Sequence, residues 1–149
     1  MAKKPPTLTL LAENLKLAQA SRDVLKESYD RAAPLLKGKK AQLDAGERET
    51  LEALTARFAR FSDFLVQRLF RTLDEHELVA EGSVLDCLNR MEKRGIIPSA
   101  DDFREIRTLR NDIAHEYLIE KSDSVVRDAF EKAPILFGAL SSFEGYMKA

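Results

Sequence analysis

Apolar residues spaced alternately three and four apart recur along almost the whole chain. This spacing puts them on one face of an α-helix, whereas a half-buried strand requires an alternation of two. Long stripes of this kind cover about residues 8–36, 47–74, 99–117 and 122–147, and a short one covers about 83–95. Six glycines and five prolines among 149 residues leave room for such long elements. We therefore predict an all-α, antiparallel bundle of four main helices and one short helix.

Capping residues stand where three of these helices are expected to begin. Asp44 and Glu47 have the spacing of a capping box ahead of the second helix. Ser83 is placed to cap the short helix, and Ser99, followed by two acids, is placed to cap the fourth. These signals predict helix starts at the residues that follow them.

Glycine and proline predict where the helices end or bend. Pro34 and Gly38 mark the end of the first helix, and Gly95 closes the short one. Pro98 favours an extended link just before it, and Pro134 is expected to kink or divide the last helix. Residues 1–7 are basic and contain prolines, so we expect a loose tail on a single domain that covers residues 1–149.

Composition narrows the classes of protein to be considered. The net charge of −1 gives no overall attraction to nucleic acid, so RNA contact would need a local basic patch, and we expect no DNA contact. The one cysteine, Cys87, lies on an apolar helix face, which predicts a buried, unreactive thiol. No apolar run approaches the roughly 18 residues of a membrane span, and no signal peptide is evident, so we expect a cytoplasmic protein.

The fourth predicted helix carries an arginine among its apolar residues. Its stripe is Phe103, Ile106, Arg110, Ile113 and Tyr117. A guanidinium on this line is costly unless it reaches water, a carboxylate or a phosphate. Two interpretations follow: Arg110 closes an ion pair with an acid on a neighbouring helix, or it binds an anionic ligand.

The polar side of the same helix carries a histidine and further arginines, namely Arg104, Arg107, Thr108, Asn111 and His115. Arg110 and His115 are about 140° apart on an ideal helix, so they do not stack directly. They converge only if the helix ends or bends near Ala114, or if a second chain supplies its own copies across a two-fold axis. A basic groove that holds a histidine would suit a phosphodiester substrate.

Other arginines and lysines make this end of the chain locally basic. The cluster is Arg90, Lys93, Arg94, Arg104, Arg107 and Arg110, diluted by four nearby acids. The only local group with metal-ligating side chains is His115 with Asp112 or Glu116, which is too small for a typical zinc site. We therefore expect neither a metal nor a cofactor.

The segment from Arg110 to Tyr117, with His115 between them, matches an R-x4-H-x-Y pattern. In this pattern, and in its helical frame over most of its length, the chain resembles the HepT-like toxins of the HEPN superfamily. The resemblance implies a homodimeric, metal-independent endoribonuclease that is the toxin of a type VII-like toxin–antitoxin system. The arginines and histidines of both protomers would then line one composite cleft at the dimer interface.

The same resemblance implies a role for each motif residue. His115 would act as general base or acid around the attacking 2′-hydroxyl group of RNA. Arg110 would hold the scissile phosphate and stabilise the charge of the transition state. Asn111 would orient the histidine or the phosphate, and Arg104 and Arg107 would support phosphate binding.

Regulation is implied as well. A minimal nucleotidyltransferase antitoxin would transfer AMP to Tyr117, and the added bulk and charge would keep RNA out of the cleft. Glu116 departs from what an RNA site favours, because it places an acid between the motif histidine and tyrosine. Two alternatives stay open: a non-catalytic HEPN subunit that binds nucleotide or a nucleotidyltransferase partner, and a helical scaffold in which Arg110 only closes an ion pair.

Overall fold

The computed structural model describes residues 6–38, 42–115 and 119–149, with side chains from Asp123 onward in the last range. Within these ranges every regular element is helical, so the predicted all-α class is confirmed. Helices α2 and α3 are joined without a gap by a π-helical turn at Leu65–Leu69. The other bounds are α1 Pro6–Lys37, α2 Ala45–Phe64, α3 Phe70–His76, α4 Val84–Lys93, α5 Ala100–Ala114 and α6 Ile119–Lys148. Among the described residues this gives four long helical runs and the short α4, as predicted.

The predicted caps are present at the starts of α2, α4 and α5. The Asp44 carboxylate accepts a hydrogen bond from the Glu47 amide at 2.8 Å, and the Glu47 carboxylate accepts one from the Asp44 amide at 3.1 Å. Ser83 exchanges the same pair of bonds with Asp86, each at 3.1 Å. The Ser99 hydroxyl accepts from the first-turn amides of α5. Each cap satisfies amides that have no partner within their own helix.

Two predicted boundaries are wrong by about one turn, whereas the bounds of α1, Pro6 and Lys37, lie within two residues of the prediction. Helix α5 ends at Ala114 rather than near Tyr117, because the backbone of His115 leaves the helical region at φ −109° and ψ 15°. Helix α6 begins at Ile119, earlier than predicted, and runs through Pro134 as one element.

Of the two outcomes predicted at Pro134, a kink or a division, the division does not occur, because the apolar stripe is buried on both sides of the proline. Ala129, Ala133, Leu136 and Leu140 are each fully buried, while the proline ring itself is exposed. Packing of the stripe therefore outweighs the one backbone hydrogen bond that proline removes.

The link after α4 also differs from the extended form predicted for it. It bends back, so that the amides of Ile96 and Ile97 both point to the Met91 carbonyl oxygen, at 3.0 and 3.4 Å.

A layer of aromatic side chains joins the long helices. Phe70 of α3 lies between Phe103 of α5 and Phe143 of α6, with ring centroids 5.8 and 6.3 Å away. All three rings are fully buried. Tyr29 of α1 stacks on Phe130 of α6 at 4.3 Å. Through Phe103 this layer fixes the side of α5 that faces the core, and thereby the side that faces outward.

A buried carboxylate ties α3 to α4. Asp74 is 6% exposed and accepts hydrogen bonds from Arg90 at 2.7 and 3.0 Å and from Arg94 at 2.7 Å. Burial alone raises the pKa of Asp74, but the hydrogen bonds from the two arginines outweigh it and hold that pKa below its usual value of 3.8. The neighbouring Cys87 is buried as predicted, and burial with the Asp74 carboxylate raises the pKa of its thiol to about 12.

Replacing Asp74 should expose how much this contact stabilises the fold. We expect Asp74→Asn to lower the free energy of unfolding by about 2–3 kcal/mol at neutral pH, because two arginines lose a buried partner while Arg90 keeps some access to water. The folded-state pKa of Asp74 is lowered, so this stabilisation is present above about pH 5 and is lost as pH falls through that pKa. Urea unfolding from pH 7 to 3 measures both effects.

Asp101→Asn is the matched control for this prediction. Its carboxylate forms an exposed pair with Arg104 at 3.5 Å, so its replacement should change stability by less than about 0.5 kcal/mol. Equal effects of the two substitutions, or a gap between wild type and Asp74→Asn that does not narrow below pH 4, would show that the network is not a major stabilising contact.

Candidate functional site

A cleft of about 270 Å³ opens between the C-terminal part of α2 and the last turn of α5. Its walls carry two cationic, two amide and one anionic side chain, from Arg107, Arg110, Asn111, Gln67 and Asp63. Three of these five residues belong to α5, the motif helix, which carries the arginine of the R-x4-H pattern. The cleft is therefore a polar site rather than an apolar ligand pocket.

The rotation of α5 places the motif residues at this cleft. Phe103, Ile106 and Leu109 of α5 are buried in the core. Arg110 and Asn111 follow directly, and the turn of the helix carries them out of the core toward α2. The opposite wall is built from Asp63 and Gln67, one turn apart.

Gln67 lies in the middle of the π-helical turn that links α2 to α3. There the amide of Phe70 bonds to the carbonyl oxygen of Leu65, five residues back instead of four. Such turns account for well under 1% of residues in proteins and often occur at functional sites. The turn is therefore an independent structural feature that coincides with the cleft.

The guanidinium of Arg110 is held by the carboxylate of Asp63. Nε lies 2.8 and 2.9 Å from the two carboxylate oxygens, and Nη2 lies 2.8 Å from Oδ2. The hydrogen bond with Asp63, and then its charge, raise the pKa of Arg110 above its usual value, so the group stays cationic. This answers the question left by the sequence: an acid on a neighbouring helix does pair with Arg110.

The ion pair is not buried. The Arg110 and Asp63 side chains are 35% and 40% exposed. Pairs in contact with water contribute about 0–1 kcal/mol to stability, since solvent screens their attraction. The third nitrogen, Nη1, has no hydrogen-bond partner in the part of the chain that the structure describes. Arg110 therefore keeps hydrogen-bonding capacity for a group in the cleft.

The structure places the other predicted site residues differently from one another. Arg107 and Asn111 line the cleft with Arg110. Arg107 is half-buried and has no ion-pair partner among the described residues. Arg104 does not line the cleft; it is exposed and pairs with Asp101 at 3.5 Å.

His115 also lies off the cleft within a single chain. It is the C-terminal cap of α5, its side chain is exposed, and its amide donates to the carbonyl oxygen of Asn111 at 3.0 Å. The helix does end near Ala114, one of the two conditions under which the arginine and histidine were predicted to converge, yet the histidine is not among the cleft residues. Glu116 and Tyr117 lie outside the described residues.

The arginines of the predicted basic cluster are distributed over separate contacts. Arg90 and Arg94 pair with Asp74, and Arg94 also pairs with Glu77 at 3.0 Å. These contacts lie between α3 and α4. The prediction of one shared basic patch is therefore wrong in its extent, because acids from α2 and α3 pair with arginines that the sequence shows only as a cluster.

Sequence reasoning missed Asp63 and Gln67. Both lie between Phe61 and Leu69 in the sequence, but on the opposite side of the helix from the apolar stripe. In the sequence they therefore look like ordinary solvent-facing residues, and no local signal marks them. The motif pattern on α5 contains no information about this position 47 residues away.

No family model, curated protein or solved structure matches the chain. In the described residues, no three histidine, cysteine or acidic side chains are grouped so as to hold a metal ion. Nor do the helices in that part of the chain include one that is long and apolar enough to cross a membrane. The structure by itself therefore defines the class of protein, which is a helical protein with a small, partly cationic cleft.

Removal of Arg110 tests whether its ion pair is structural. We expect Arg110→Ala to lower the free energy of unfolding by no more than about 1 kcal/mol, because the pair is half in water. Urea denaturation of wild type, the single variants at Arg110 and Asp63 and their combination would give the coupling energy. A coupling above about 2 kcal/mol would instead favour a scaffold in which the pair holds α2 and α5 together.

Proposed function

We propose that the chain is a HepT-like endoribonuclease of the HEPN type that works as a homodimer without a metal ion. The observation that carries the proposal is the position of Arg110. The arginine of the R-x4-H motif stands at a cleft with Arg107, Asn111 and Gln67, and these side chains supply donors suited to a phosphate or a nucleotide.

Within one chain this site is incomplete. The cleft contains two arginines but no histidine, while His115 lies exposed at the end of the same helix. A second copy, related by a two-fold axis near this helix end, would bring its own His115 toward the cleft. The separation of the two motif residues therefore supports a composite site rather than a site within one chain.

The chemistry follows from the groups supplied. One imidazole takes the proton from a 2′-hydroxyl group, and the oxygen attacks the adjacent phosphorus while the bond to the 5′-oxygen breaks. The leaving oxygen takes a proton from a second imidazole, which gives a 2′,3′-cyclic phosphate and a 5′-hydroxyl end. Arg110 neutralises the charge that builds on the phosphoryl oxygens.

Control of this activity would involve the residues just after His115. We place Tyr117 as the acceptor of AMP from a nucleotidyltransferase antitoxin, with the chain as the toxin of the pair. A nucleotide added two residues from the histidine would bring a negative phosphate and considerable bulk to the cleft, and both would exclude RNA.

One observation favours the second candidate function, a non-catalytic subunit that binds nucleotide or a nucleotidyltransferase. Asp63 occupies one edge of the Arg110 guanidinium and puts a negative charge into the cleft. A carboxylate there opposes a phosphate in its immediate vicinity. This charge opposes the phosphates of a nucleotide as well as those of RNA, so within the second candidate it favours the form that binds a nucleotidyltransferase protein.

Incubation of the purified protein with RNA in excess EDTA separates these functions. We expect cleavage by wild type, and a loss of at least about 100-fold in His115→Ala and in Arg110→Ala, because each removes a group needed in the transition state. His76→Ala is the matched control, since His76 is the other histidine and contacts Thr7 at 2.9 Å instead. It should retain activity within about twofold.

Intact RNA together with micromolar nucleotide binding would instead support the non-catalytic subunit. Intact RNA without nucleotide binding would support the scaffold. Loss of activity in His76→Ala to the same degree as in His115→Ala would point to damaged folding rather than to catalysis.

The composite site also predicts the mass of the particle. Light scattering after gel filtration should give twice the 16.8 kDa of the chain at micromolar concentration. At saturating RNA, an excess of His115→Ala chains added to wild type should lower the activity per wild-type chain, because a mixed dimer has one imidazole where the proposed step uses two. A monomer, or an activity per wild-type chain that the added variant leaves unchanged, would contradict a shared cleft.

A further inference from the structure

The Asp63 carboxylate binds one particular edge of the Arg110 guanidinium. A guanidinium offers two edges for paired hydrogen bonds, one through Nε and one Nη, the other through both Nη atoms. Asp63 takes the first, through Nε and Nη2. Nη1, at the far end, has no partner among the described residues. The contact thus leaves one end of the cation available while fixing the other.

The backbone at Asp63 is anchored by its neighbours. Asp63 lies on the last turn of α2 between Ser62 and Leu65, which are buried, at 1% and 0% exposure. The chain then enters the π-helical turn. Arg110, in contrast, has a long side chain with many rotamers and is 35% exposed. Pairing with a short side chain on this anchored backbone therefore restricts the orientation of the guanidinium.

We propose that Asp63 is a positioning residue for Arg110, clamping the Nε edge so that Nη1 meets a phosphate of the ligand in the cleft. This inference rests on the proposed function, in which Arg110 contacts the scissile phosphate. It adds that Asp63, which is no part of the R-x4-H pattern, determines how well that contact forms. Arg107, unpaired among the described residues, supplies the second cation beside it.

The direction in which removal of Asp63 changes the dissociation constant of the ligand distinguishes this role from simple repulsion. Removing a negative charge beside a phosphate should tighten binding if Asp63 only repels the ligand. If Asp63 orients Arg110, its removal should weaken binding, even though the cleft becomes more positive. The two interpretations therefore predict opposite changes in the same dissociation constant.

The experiment measures binding and cleavage separately in Asp63→Asn and Asp63→Glu. Binding is measured by fluorescence anisotropy with a 2′-O-methyl oligoribonucleotide, in which the attacking hydroxyl group is blocked, so that it cannot be cleaved by the proposed route. Cleavage is measured by single-turnover kinetics with the matching RNA. Asp112→Asn is the matched control, since it removes the same charge from an exposed position on α5 that does not line the cleft.

We expect Asp63→Asn to weaken oligonucleotide binding by about threefold to tenfold and to slow single-turnover cleavage by about 10- to 100-fold, as for loss of other orienting partners. Asp63→Glu, which keeps the charge, should recover much of both. Asp112→Asn should bind as tightly as wild type or slightly tighter. Thermal unfolding should be similar for all three variants, because the pair is half-exposed.

Tighter binding by Asp63→Asn, with cleavage unchanged or faster, would overturn the positioning role and leave Asp63 as a repelling anion. Loss of binding in proportion to loss of thermal stability would also overturn it, in favour of a structural role. If wild type leaves RNA intact but Asp63→Asn still weakens oligonucleotide binding, then catalysis is refuted and the clamp is supported. Absence of any oligonucleotide binding by wild type would refute both.

Discussion

The packing of α5 against the aromatic layer is the constraint on which the site depends. Phe103 packs against Phe70 of α3, which in turn packs against Phe143 of α6, and this contact fixes the rotation of the motif helix. With Ile106 and Leu109 also buried, the next residues of the helix have to leave the core on the side of α2. The cleft is therefore a consequence of how hydrophobic side chains pack, and the polar residues occupy positions that packing has assigned to them.

Features determined by neighbouring residues could be predicted from the sequence. The three–four spacing gave the helices, and the caps at Asp44, Ser83 and Ser99 gave the starts of three of them, because both effects act within one or two turns. The end of α5 and the start of α6 were predicted wrongly, and the division of α6 allowed for at Pro134 does not occur. Where a helix ends or continues depends on whether side chains from distant parts of the chain bury its turns. A local sequence pattern carries no information about those contacts.

For the candidate site, too, the residues close together in the sequence could be predicted and the distant one could not. Arg107, Arg110 and Asn111 were predicted together because they share one helix, and the structure brings them to one cleft. Asp63 is 47 residues from Arg110, and only the tertiary fold shows that they meet. The same limit applies to Arg90 and Arg94. In the sequence they belong to a basic cluster, but in the fold both donate hydrogen bonds to the buried Asp74 on α3. Charge counted along a sequence overestimates a patch wherever the fold supplies partners.

The pairing of Arg110 changes what its position on an apolar stripe means. The sequence alone left open whether such an arginine pairs with an acid on a neighbouring helix or binds an anionic ligand, because an unpaired cation there is costly. Asp63 meets that need within the chain, so the fold does not require a ligand in the cleft. The groups left for a ligand are Nη1 of Arg110, the two amides, and Arg107, which has no ion-pair partner in the part of the chain that the structure describes. Under the proposed positioning role, a phosphate that binds there adds to the ion pair instead of replacing it, and the geometry of Asp63 determines how strongly the phosphate is bound.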